Sequence, residues 1–69
     1  MKYAVVFERG PSSVGAYVPD LPGCVAVGKT FDEARNLIRD AVEFHLEGMR
    51  LHGENVPEPT SLCDYVEVA

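Results

Sequence analysis

The sequence predicts an α+β domain in the order β-β-β-α-β, a four-stranded, mostly antiparallel sheet with one helix on one face. Three observations predict it. Short extended segments are separated by Gly- and Pro-rich turns, one capped amphipathic run follows, and an alternating apolar segment comes last. With 69 residues the chain has room for one domain, residues 1–69. A domain this small buries only about 60% of its unfolded surface, so support from an oligomer is expected from the start.

The first strand runs from Lys2 to Glu8, with Tyr3, Val5 and Phe7 on one phase of a two-residue period and Ala4 and Val6 on the other. It is apolar on both faces. Gly10, Pro11, Ser12 and Ser13 form a turn, after which Val14 to Val18 resume the extended pattern and complete a hairpin. Pro19, Asp20, Leu21, Pro22 and Gly23 then make a rigid corner. Val18 and Leu21 each precede a proline and are pushed out of the helical region, while Pro22-Gly23 suits the centre of a type II turn. Cys24 to Val27 is the third strand.

Thr30 and Glu33 have the spacing of a capping box, and Asp32 and Glu33 suit the positive end of a helix dipole. The helix is expected from about Phe31 to His52, with Gly53 as its left-handed stop. At about 100° per residue, Ala34, Leu37, Ile38, Ala41, His45, Gly48 and Met49 share one face, flanked by Val42 and Phe44. Arg35, Asn36, Arg39, Asp40, Glu43, Glu47 and Arg50 fill the solvated face. Pro57 and Pro59 make the next segment irregular, and Asp64 to Val68 is expected as the fourth strand, beside the first and parallel to it, in sheet order 3-2-1-4.

One helix covers one face of such a sheet, and the sequence does not make the other face polar. Ala4, Val6, Tyr17 and Tyr65 are the residues expected to line that open face and bind a partner. Net charge is −5, from 6 basic and 11 acidic residues, which argues against direct nucleic-acid binding and favours a basic protein partner. No apolar run approaches the roughly 20 residues that cross a membrane, and the amino terminus lacks signal-peptide character, so a cytoplasmic location is expected.

Catalytic candidates are sparse. Cys24 and Cys63 form no CxxC pair and are read as reduced, mostly buried thiols rather than metal ligands or a disulfide. His45 and Asp20 are the only tolerable acid–base candidates, and neither has a partner placed beside it by spacing. Asp20 is expected to bond the amides of its own turn. No catalytic residue, metal ligand or cofactor is therefore assigned.

At the corner and helix entry the chain becomes recognisable. Tyr17-Val18-Pro19-Asp20-Leu21-Pro22-Gly23-Cys24, then Gly28, Thr30, Glu33 and Ala34, then Leu46-Glu47-Gly48 and Pro57-Glu58-Pro59, resemble the HicB-like antitoxin family, once catalogued as an uncharacterised family of small proteins. The resemblance implies a reduced ribonuclease-H-like core without catalytic acids. Its implied partner is a small basic toxin of the HicA type, an RNA-cutting protein that the antitoxin occludes. Family members often carry a second, DNA-binding module. This sequence stops after the fourth strand, so autoregulation by DNA contact is not expected of it. A non-catalytic, homo-oligomeric (dimeric or tetrameric) antitoxin is the leading reading. The alternatives are a self-associating module without a toxin, and a vestigial nuclease or hydrolase.

Overall fold

The computed structural model describes residues 1–69, in the order β1 (Val6–Arg9), β2 (Val14–Tyr17), β3 (Val25–Gly28) and α1 (Phe31–Leu51). The strands form one antiparallel sheet in the order β1-β2-β3. Val6 stands opposite Tyr17 and Tyr17 opposite Val25; Ala16 stands between Phe7 and Ala26. Alternate positions therefore divide the sheet into a helix face, with Phe7, Val14, Ala16, Ala26 and Gly28, and an open face, with Val6, Glu8, Gly15, Tyr17, Val25 and Val27.

The corner forms as its prolines and glycine require. Cys24 donates its backbone N–H to the Leu21 carbonyl at 3.0 Å across Pro22-Gly23, and Gly23 has φ +84°, the left-handed position of a type II turn. The preceding turn closes from Leu21 N to Val18 O at 3.1 Å. Leu21, 1% exposed, drops from this corner into a core made with Ala16, Val18, Cys24 and Ile38.

At the helix start, the Thr30 hydroxyl accepts from Glu33 N at 3.1 Å. Glu33 reaches back to Lys29 N at 3.0 Å, one residue beyond the reciprocal bond of a standard capping box. The helix stops with His52 as cap and Gly53 at φ +69°.

Helix and β3 approach closely because Gly28 lacks a side chain: a Cβ there would lie 2.5 Å from Ala34 N. This contact sets the rotation of the helix. Ala34 and Ile38 are its buried residues, and Ala41, Val42 and Leu46 pack partly against the core. The expected stripe is corrected accordingly: Leu37 is 42% and Phe44 81% exposed, and Leu46 belongs to the packed face.

The fourth strand expected over Asp64–Val68 is not formed, so the sheet has three strands rather than four. The reason is a tether. Pro57 accepts the Tyr3 hydroxyl near the start of β1, but Thr60 and Ser61 then bond to Asp20 in the corner joining β2 to β3. That corner lies on the side of β2 away from the free edge of β1, so the chain crosses the end of the sheet instead of turning along β1. Residues 62–69 are exposed throughout. The radius of gyration is 13.4 Å, against about 11 Å for a compact domain of this length.

Candidate functional site

Two apolar surfaces remain uncovered, and both follow from where the helix lies. It packs over β3 and β2 and leaves β1 largely free. The first surface is the open sheet face. Val6, Tyr17 and Val25 form one row across the strands, and Val27 stands beyond Gly15 and Glu8 in the next. Ala4 precedes Val6 on the same phase and is half-buried. Val25 and Val27 are 63% and 65% exposed although they are branched apolar residues in a strand.

The physical cause lies on the reverse side of β3. Because the helix touches its backbone at Gly28, the inward positions must be small, and they are Cys24, Ala26 and Gly28. The larger valines are left outside. Of the expected partner-binding set, the structure brings Val6 and Tyr17 together with Ala4 nearby, and places Tyr65, 95% exposed, on the detached tail. Val25 and Val27 are absent from that set. Their signal in the sequence was the alternation of small and branched residues from Cys24 to Gly28.

The second surface is a groove of about 570 Å³ between the helix-facing side of β1 and the helix. Tyr3, Val5 and Phe7 form one wall and Ile38, Val42 and Leu46 the other. Phe7 is braced at the helix entry by Phe31, with ring centroids 4.6 Å apart. Arg35, Arg39 and Arg50 stand at the rim with Glu43. Half of the chain's six cationic residues thus line one groove on an acidic protein.

The remaining candidates behave differently from their sequence expectation. Asp20 does not bond its own turn. Its oxygens accept from Thr60 N and Ser61 N, both at 2.9 Å, from Ser61 Oγ at 2.8 Å and from Thr60 Oγ1 at 3.1 Å. The Ser61 backbone N–H and then its hydroxyl hold the Asp20 carboxyl below the usual aspartate range; burial opposes them, and the weaker Thr60 hydrogen bonds add to the lowering. A carboxylate so occupied is poorly suited to proton transfer near neutral pH.

His45 is half-buried on the helix, while the His52 ring lies 2.7 Å from the Gly48 carbonyl, at the helix end. Cys24 is buried, and burial pushes its thiol up. Cys63 is exposed rather than buried, because it lies in the tail. No three His, Cys, Asp or Glu side chains converge as a metal site. No helix is long and apolar enough to cross a membrane.

A one-helix α+β domain whose sheet is apolar on its uncovered side has its exposed chemistry in surfaces rather than in an assembled polar cleft. The chain belongs to the HicB-like antitoxin family of bacterial toxin-antitoxin systems, whose family model matches residues 3–68. It is 33% identical to an uncharacterised 14.9 kDa protein of the rep-hol intergenic region of Haemophilus phage HP1, over 96% of this chain and 50% of that protein. It is 38% identical to a UPF0150 protein of Thermoplasma acidophilum, over 83% of this chain and 84% of the relative. A UPF0150 protein of Archaeoglobus fulgidus is 40% identical over 68% of this chain and 70% of the relative. The chain spans half the length of the phage protein. No solved structure gives a significant match.

Proposed function

We propose that this chain is a non-catalytic antitoxin that binds a small basic RNA-cleaving toxin of the HicA type and occludes it. The observation carrying this reading is the uncovered apolar sheet face, Val6, Tyr17, Val25 and Val27, on a family member of net charge −5. Complementary charge steers the encounter, and desolvation of the sheet face holds the complex. Ala4 lies at the edge of the same contact. Inhibition by occlusion needs no turnover, which agrees with the tethered state of Asp20.

The experiment is titration of the purified chain into a basic toxin encoded beside it, followed by calorimetry and by RNA cleavage. Binding that silences cleavage and associates more slowly as salt rises is expected. A toxin that neither binds nor is silenced would sink the reading. Self-association as a homo-oligomer is favoured by a separate observation, the exposed apolar tail. The location proposed for both activities is the cytoplasm.

A further inference from the structure

The groove and the tail are complementary. The free edge of β1 presents unpaired backbone groups, since β1 has a neighbour only on the β2 side. The apolar groove beside that edge is open, and arginines dominate its rim. The tail beyond Ser61 alternates in strand fashion: Leu62, Asp64, Val66 and Val68 on one phase, Cys63, Tyr65 and Glu67 on the other. It is acidic where the rim is basic. Residues 62–68 also match Tyr3–Arg9 in length, seven residues each. The Asp20 tether leads the tail away from its own β1, so the slot is vacant and the segment that fits it points outward.

We propose that the tail of one copy lies along β1 of a second copy, adding a fourth strand to that sheet and setting Val66 and Val68 in the groove against Val5, Phe7 and Val42. Arg35, Arg39 and Arg50 attract the acidic tail. Each copy has one tail and one groove, so a reciprocal exchange uses both and closes as a twofold dimer, whereas a one-way exchange would run on as an open chain of higher mass. The other phase then places Tyr65 beside Ala4 and Val6 on the open face, uniting the residues that the alternating pattern groups together. This deepens the self-association proposed above and does not depend on any toxin.

The test is solution mass by light scattering on the full chain, with two double variants. The unmodified chain is expected at twice 7.6 kDa. Val66→Asp with Val68→Asp changes only exposed tail residues. It should raise the dimer dissociation constant about a hundredfold or more while leaving the helical circular dichroism unchanged. Val25→Asp with Val27→Asp, on the open face, should remain dimeric. A monomeric unmodified chain, which is what closure of the tail onto its own β1 would give, overturns the proposal. A dimer unaffected by the tail variant overturns it equally. Either failure leaves the toxin reading standing, since toxin binding is measured separately.

Discussion

Asp20 draws hydrogen bonds from residues 40 and 41 positions away, and the direction of its pKa shift fixes how that contact responds to acid. Its folded pKa lies below the unfolded value, so its contribution is fully present above the unfolded pKa and is lost as pH falls through the folded one. The tether should therefore hold at neutral pH and release only below the ordinary aspartate range. Asp20→Asn replaces one acceptor oxygen with a donor facing other donors. Hydrogen exchange at the Thr60 and Ser61 amides should accelerate by about an order of magnitude or more in that variant. Unchanged protection would mean that the tail is held by something else. Gly28 is a second position where one atom decides the geometry. Gly28→Ala forces a methyl group against the backbone at Ala34, with a cost of about 1–3 kcal/mol. Urea denaturation checks this, and a variant as stable as the original would refute the close approach.

The helix shows which features could be read at the scale of an element. Its bounds were legible, because capping chemistry is local: Thr30, Glu33 and Gly53 act on backbone groups within four residues of themselves. Thr30→Ala should cost about 1 kcal/mol, read as a lower thermal midpoint, and an unchanged midpoint would show the cap to be idle. The packed face was less legible. Helical periodicity gives Leu37 and Phe44 the same standing as Ile38, and only the contact at Gly28 decides which side of the stripe turns inward. The same contact hides the orientation of β3, where size rather than hydrophobicity selects the inward residues, Cys24, Ala26 and Gly28. The alternating pattern of Asp64–Val68 led to the expectation of a fourth strand, and none forms there. A hydrogen-bonded corner decides where the tail goes, and Asp20 reads as an ordinary turn residue until Thr60 and Ser61 are seen beside it.

For the whole molecule, one helix over two of three strands leaves two faces unfinished, and the two should be separable by mutation. Val25 and Val27 are mostly exposed and lie on the side of β3 away from the helix. Replacing both with Asp removes no core packing, so the loss of protomer stability should stay within about 2 kcal/mol, about 1 kcal/mol of strand propensity at each position. The effect on a toxin complex should be far larger. Each carboxylate must be desolvated at the centre of the contact, with no partner supplied by an apolar match. Affinity for a basic toxin should fall about a hundredfold or more, even though adding negative charge strengthens the long-range attraction. The signs oppose each other, which makes the measurement decisive. A contact ruled by charge alone would tighten on this double substitution, and one ruled by burial of the sheet face must weaken. Calorimetric titration at two salt concentrations separates them, and tighter binding at low salt would remove the sheet face from the proposed function.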